Sequence, residues 1–170
     1  MPAGLILRTA SFTDAEAVDA LLDASYTQLF PHAYPADLLA LALPVMTRAN
    51  RELLSSGLYH VVEVEFGQIV GCGGWSFADP ATRAVETGIG HIRHFATHPD
   101  WLGRGIGRMI YDRCAAQAIE RGLAHFTCWS SLNGQGFYAA LGFVPVREVE
   151  ALLGGRVPFP AVEMTRAITV

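Results

Sequence analysis

Charge is scarce in this 170-residue chain: 16% of residues are Asp, Glu, Lys or Arg, and the formal net charge is −4 at pH 7. Its cationic residues are scattered rather than massed, so there is no basic footprint for nucleic acid, and no nucleic-acid partner is expected. Cysteine is sparse too. Cys72, Cys114 and Cys128 are an odd number at wide spacings, each inside an apolar stretch. That pattern argues against a disulfide framework and a paired-cysteine metal knuckle; it predicts buried free thiols in a reducing cytosol and no metal site. Long apolar runs are also missing. Nothing approaches the ~20 apolar residues of a membrane span, and Leu5–Leu7 is cut short by Arg8, unlike a signal peptide. The expectation is a cytoplasmic protein with no membrane partner.

What the chain does have is apolar content, 51% of its residues, enough at this length to close one hydrophobic core against chain entropy. With no repeat, low-complexity tract or linker, a single domain over residues 1–170 is predicted. Leu5 to Ala10 reads as a strand. Thr13, three residues before Glu16, has the capping-box spacing and predicts a helix with Val18, Leu21, Leu22, Tyr26 and Leu29 on one face, stopping near Phe30 before Pro31. A second helical stretch from Asp37 to about Leu54 is expected to break or kink at Pro44. From Tyr59 the period becomes two: Val62, Val64 and Phe66 share a face, Glu63 and Glu65 form a solvent face, and Gly67-Gln68 turns the chain into Ile69–Trp75. A surface loop (Phe77–Gly88), a strand (Ile89–Thr97), a helix (Gly105–Arg121), a strand (Leu123–Ser130), a short helix (Gln135–Leu141) and two strands (Phe143–Leu152, Val162–Ile168) complete an α+β pattern with a mixed central sheet.

The most informative stretch runs from His91 to Arg108. A strand ends near Thr97, Pro99 forces a turn, and Gly103, Gly105 and Gly107 alternate at the entrance of a helix whose buried face is Ile106, Ile110, Cys114 and Ala118. Glycines there let a ligand approach the backbone, and the first free N–H groups of a helix suit a phosphate or pyrophosphate, with Arg104 and Arg108 adding charge. A dinucleotide fingerprint fails in both registers, because Arg108 or Ile110 stands where the last glycine belongs; the Gly-Lys-Ser/Thr of a P-loop is absent.

Ile92–Gly107 resembles the acetyl-CoA motif of the GNAT superfamily of acetyl-CoA-dependent N-acetyltransferases: strand, bulge, His-Pro, then a glycine-rich turn into a helix. Downstream, Ser130–Phe143 resembles the family's second motif, ending Phe137-Tyr138-Ala139-Ala140-Leu141-Gly142-Phe143. The order of elements agrees over nearly the whole chain. The resemblance implies the GNAT fold, a central mixed, mostly antiparallel sheet flanked by helices. It also implies acetyl-CoA as co-substrate and acetyl transfer to an amine of a small molecule or peptide by direct attack in a ternary complex. A homodimer is compatible with it. Main-chain groups of Phe95, Ala96 and Thr97 would pair with the pantetheine arm; Gly103, Arg104, Gly105, Ile106, Gly107 and Arg108 would hold the pyrophosphate. Tyr138 would return a proton to the leaving thiolate. Counting six back from Thr97, as in members with Glu or His there, places the base at His91, with Glu86 or a water as alternatives.

Two departures stand out. Leu102 replaces the Gln or Arg usual in the family, and Ser131 stands where Asn often does; Ser131 and Asn133 are then the side chains of the second motif to set near the cofactor. These departures motivate a second reading, a non-catalytic CoA-binding sensor or regulatory module. His94 and His98 read as structural. The acceptor region of the resemblance covers Tyr26–Tyr34 and the hairpin loop Arg156–Pro160, whose Phe159 lies between prolines; Tyr26 and Phe30 also read as helix-packing residues.

Overall fold

The computed structural model describes residues 4–168. Strands β1 (Ile6–Thr9), β2 (Tyr59–Glu63), β3 (Ile69–Ser76), β4 (Ile89–Thr97), β5 (His125–Ser131), β6 (Val144–Leu153) and β7 (Val157–Ala167) form one sheet in the order β1-β2-β3-β4-β5-β7-β6. Every neighbouring pair is antiparallel except β4–β5, which is parallel. Helices α1 (Ala15–Leu29), α2 (Ala36–Met46), α3 (Arg51–Leu54), α4 (Ile106–Glu120) and α5 (Gln135–Ala140) complete the α+β arrangement expected from the sequence. No described helix is long and apolar enough to cross a membrane.

The sheet is buried on both faces. The apolar stripe of α4, Ile106, Ile110, Cys114 and Ala118, packs with Val62, Val70, Trp75 and Phe126 on one side. On the other, Val18, Leu21 and Leu22 of α1 and Leu39 and Ala42 of α2 pack with Val61, Cys72 and Ala96. Strand alternation explains why Val61 and Val62 serve opposite cores. All three cysteines are buried and unpaired, as their apolar contexts implied.

Several local expectations are corrected. The Thr13–Glu16 capping box does not form; the box is Ser11–Asp14, with the Ser11 N–H donating to Asp14 Oδ2 at 2.8 Å, and a 3-10 turn (Phe12–Asp14) leads into α1. Asp14 also receives Arg8 Nη1 and Nη2 at 2.9 and 2.8 Å, so its carboxylate is worth more here than a Glu16 reaching back from the surface. Pro44 neither breaks nor ends α2, which runs on to Met46 because only one carbonyl loses its donor within the last turn. Strand β2 stops at Glu63: a 3-10 turn follows, Phe66 takes φ +67° and is fully exposed, and Glu63 is paired with Arg8 Nε at 3.2 Å rather than free in solvent. Residues Val157–Pro160, expected in a loop, already belong to β7. Prolines are tolerated there because β7 has run past the end of β5, whose last partner is Ala161, leaving an edge that needs no N–H.

Candidate active site

The site begins with a defect in β4. Between the pairs Gly74↔Arg93 and Cys72↔Ala96, β3 advances two residues and β4 three, so Gly73 faces a bulge at His94-Phe95. His94 sits at φ +56°, unfavourable for a residue with a Cβ. The surroundings compensate. Tyr59 Oη donates to the His94 carbonyl at 2.8 Å, Tyr26 Oη to the Phe95 carbonyl at 2.9 Å, and the His94 ring Nε2 bonds the Met46 carbonyl at 2.9 Å. Glycine is needed at 73 because a Cβ there would lie 2.5 Å from the Phe95 ring. The extra residue reverses the strand's phase: Ile92 and Ala96, four apart, enter opposite cores.

Before the bulge β4 and β5 have already parted company. Their parallel ladder covers only Ile89–His91 against His125–Thr127, whereas β4 stays paired to β3 as far as Thr97 and β5 to β7 as far as Ser131. Main-chain groups of Phe95, Ala96 and Thr97 therefore edge a wedge that can accept an extended, amide-bearing ligand. At its wide end lies a cavity of about 230 Å³ lined by Thr97, Leu102, Gly103, Gly105, Gly107 and Phe137, among others. Gly103 and Gly105 have φ +74° and +77°, the left-handed region where glycine carries no Cβ penalty. Gly105 is the N-cap of α4 and the first helical bond runs from the Met109 N–H to its carbonyl, so the N–H groups of Ile106, Gly107 and Arg108 have no partner within the helix. A Cβ on Gly107 would meet the Phe137 ring at 2.5 Å, so the third glycine seats α5 against the helix entrance. Bare backbone, free N–H groups and a helix N-terminus fit a pyrophosphate. The two arginines are less available than the sequence implied: Arg104 stacks over Trp101 at 4.4 Å from the ring centre, and Arg108 Nη2 donates to the Ala140 carbonyl at 3.0 Å.

Tyr138, on α5, packs among Phe95, Phe137 and Phe143, at ring separations of 6.3, 5.0 and 5.5 Å. Burial raises its pKa well above the ordinary phenol value, so it holds its proton. Ser131 ends β5, its Oγ facing Gly134, and Asn133 is exposed in the following turn. His98 Nδ1 accepts the Asp100 N–H at 3.1 Å, the turn role expected of it.

At the narrow end of the wedge lies a second cavity, about 270 Å³, lined by Asp79, His91, Arg93, Thr127, Trp129 and Leu152 among others. His91 is 7% exposed. Its Nε2, like the Oγ1 of Thr127 opposite it in the parallel ladder, is buried without a hydrogen-bond partner. Burial lowers the His91 pKa, with Asp79 and Glu86 opposing more weakly, which leaves the ring neutral near pH 7. Glu86 itself is exposed. Thr127 went unnoticed in the sequence because only the strand register brings it opposite His91; Arg93 was legible merely as sharing that face of β4.

Of the aromatics of the expected acceptor region, only Tyr34 borders an open cavity, one of about 570 Å³ between α1 and α2 that is also lined by Thr27 and Pro31. Tyr26, Phe30, Tyr34 and Phe159 are buried and form a stack, with Tyr26–Phe30 at 4.5 Å and Tyr34–Phe159 at 4.2 Å. Tyr34 Oη donates to the Pro160 carbonyl at 2.6 Å and accepts the Leu132 N–H at 2.8 Å, tying the α1–α2 link to both β7 and the β5–α5 turn. Among the described residues no cluster of three or more His, Cys, Asp or Glu side chains is placed to hold a metal ion.

The family model for the acetyltransferase (GNAT) domain matches residues 55–145, from just before β2 to the start of β6, and so takes in both cavities' principal walls. The chain belongs to the GNAT acetyltransferases. It is accordingly an acetyl-CoA-dependent acyltransferase. The fold recurs in a GCN5-related N-acetyltransferase from Rhodopseudomonas palustris, with TM-score 0.76, 23% identity, and 97% of this chain and 96% of that one covered. It recurs in the PaiA N-acetyltransferase of Thermoplasma acidophilum in complex with coenzyme A, with TM-score 0.72, 12% identity, and 96% and 98% covered. It recurs also in the ribosomal-protein-S18-alanine N-acetyltransferase of Escherichia coli, with TM-score 0.63, 15% identity, and 98% and 95% covered. No curated relative matches the sequence. At these identities the solved structures establish this GNAT protein's fold and leave its acceptor open.

Proposed function

We propose that this GNAT domain, residues 1–170 acting as one unit, acetylates the amine of a small molecule by direct attack in a ternary complex. The observation that carries the reading is where the parallel ladder stops. It ends at His91 and Thr127, which line one cavity and whose Nε2 and Oγ1 are buried without a hydrogen-bond partner, while the wedge it opens leads to the free N–H groups at the start of α4.

Bound acetyl-CoA supplies a thioester carbonyl open to attack by an amine. The chain's own groups then have separable tasks. The N–H groups of Ile106, Gly107 and Arg108, with the bare backbone at Gly103, Arg104 and Gly105, hold the pyrophosphate. The edges of Phe95, Ala96 and Thr97 pair with the amides of the arm; the Phe95 carbonyl has a second lone pair beside the one given to Tyr26. Ser131 at the end of β5 and Asn133 in the turn after it border the arm. His91, neutral because it is buried, accepts a proton from the acceptor's ammonium or from the nitrogen as it attacks. Tyr138 keeps its proton until the departing sulfur develops charge, then donates it.

Initial-rate kinetics with a panel of amines test this. Thiol release should require an amine, and reciprocal plots at varied acetyl-CoA and amine should intersect. Parallel lines with an isolable acetylated protein would overturn direct attack. His91→Ala should remove the acidic limb of the pH–rate profile and lower turnover ~10²-fold, the lower range for one general base. An unchanged profile would move the base to Glu86 or to water.

A further inference from the structure

Arg93 of β4 is a half-buried cation. It forms no ion pair among the described residues. Its side-chain hydrogen bond runs from Nη1 to Ser76 Oγ, at 3.1 Å, and that hydroxyl itself donates to the Ala78 carbonyl at 2.8 Å. The carboxylates nearby are spoken for. Asp79 Oδ1 accepts the backbone N–H groups of Ala81 and Thr82 at 2.7 and 3.1 Å, and Glu52 is exposed with Arg83 Nη2 at 4.0 Å. Burial is the largest influence against the charge on Arg93 and Arg83 adds positive potential, while Glu52 and Asp79 favour it more weakly without pairing with it. A guanidinium has five N–H donors in a planar fork, and a desolvated one without a counter-ion is costly. Evolutionary economy is not needed to see the consequence: a bound anion would relieve that cost.

The position fixes where such an anion would sit. Arg93 lies two residues from His91 on the same face of β4, and both line the 270 Å³ cavity. That volume is below the ~300–1,000 Å³ of pockets for drug-sized ligands, so it suits a compact molecule. Its remaining walls include the apolar surfaces of Trp129 and Leu152.

Building on the acetyl-transfer reading above, we infer that the acceptor is a small amino acid-like molecule whose carboxylate is received by Arg93 while its amine faces His91 and Thr127. An amine and a carboxylate so close together describe a free amino acid with an apolar body. A peptide N-terminus, whose carboxylate lies a chain length away, does not meet both groups.

The test uses matched pairs, each an apolar amino acid and the amine left when its carboxylate is removed, with a short peptide beginning with the same residue as a third probe. Binding to the CoA-saturated protein is measured by calorimetry, separately from acetyl-CoA turnover. The carboxylated member should bind about 10- to 100-fold more tightly, the range for a charge-assisted hydrogen bond. Arg93→Met should abolish that preference without changing CoA affinity. Arg93→Lys, which keeps the charge and loses the fork, should retain part of it and guards against a folding defect in the first variant. Equal or tighter binding of the decarboxylated amines or the peptide, a preference that survives Arg93→Met, or no binding by any probe would overturn the inference. Arg93-dependent binding without acetylation would leave the carboxylate site standing and sink the assignment of this cavity to acetyl transfer.

Discussion

Acidification gives a quantitative test of how the interior treats its histidines. His60, His91 and His94 all have pKa values held below the ordinary imidazole value, in each case chiefly by burial. His60 is fully enclosed. Its Nε2 lies 2.8 Å from Gln117 Oε1, the atom that also accepts from Trp75 Nε1 at 3.2 Å, so the imidazole is the donor. The His94 ring donates to the Met46 carbonyl. A depressed folded-state pKa means the unfolded chain takes up the proton first. Stability from these neutral rings is therefore complete above the unfolded value of ~6.5 and is lost as pH falls through the folded values. Each ring still neutral when its unfolded counterpart is charged gives a slope of ~1.4 kcal/mol per pH unit, and three set a ceiling of ~4. His91 borders an open cavity and is partly screened, so a slope below that ceiling is expected as the pH is taken from ~6.5 to 5. Asp14, whose pKa is lowered chiefly by its hydrogen bond to Arg8, stays ionised throughout that window. Against a total stability of ~5–15 kcal/mol, the loss is large. Urea unfolding at stepped pH and constant ionic strength measures it; His60→Gln and His94→Gln should each flatten the curve. Stability that is level from pH 7 to 5 would refute the reasoning.

The helix entrance can be tested through Gly105, where a Cβ would meet no protein atom within 4 Å but the backbone is left-handed. Gly105→Val should cost at least ~1–2 kcal/mol in strain and abolish the rise in Tm with acetyl-CoA, whereas normal CoA binding would remove Gly105 from the cradle. Leu102 is half exposed on the same cavity, so Leu102→Arg should tighten CoA by about 1 kcal/mol; an unchanged Kd at low salt would mean the phosphates are already satisfied. Tyr138→Phe keeps the ring packing and should lower kcat ~10²-fold with CoA affinity near normal, and full activity would end its role as acid. Tyr34→Phe should keep the stack with Phe159 yet lose about 1–3 kcal/mol in chemical unfolding, because it strands the Leu132 N–H; an unaltered midpoint would show that water replaces the phenol.

Features that local backbone demands impose were legible in the sequence. Glycines at 103 and 105 announce left-handed φ, Pro99 announces the turn, and a four-residue spacing of apolar side chains announces the buried face of α4, so a phosphate cradle was legible in one short stretch, while the family resemblance also needed the second motif, Ser130–Phe143. Features that arise from pairing distant segments were not. The family resemblance implied a bulge in β4 with Thr97 as its second residue, but it sits at His94-Phe95, and its strain is balanced by two tyrosines from α1 and β2 that no spacing connects to it. Tyr34 and Phe159 read as cleft aromatics because the resemblance puts their segments beside the acceptor, yet the contact of Tyr34 with Pro160 spans 126 residues of chain and both rings are buried. The same division runs through the site. Groups around the proposed donor-binding wedge come largely from the continuous segment Phe95–Arg108, whereas the acceptor cavity is assembled from β4, β5, β6 and the loop carrying Asp79. The cavity that we assign to the acceptor is therefore shaped by where two strands stop pairing, and Thr127 becomes a neighbour of His91 through the register of the parallel ladder.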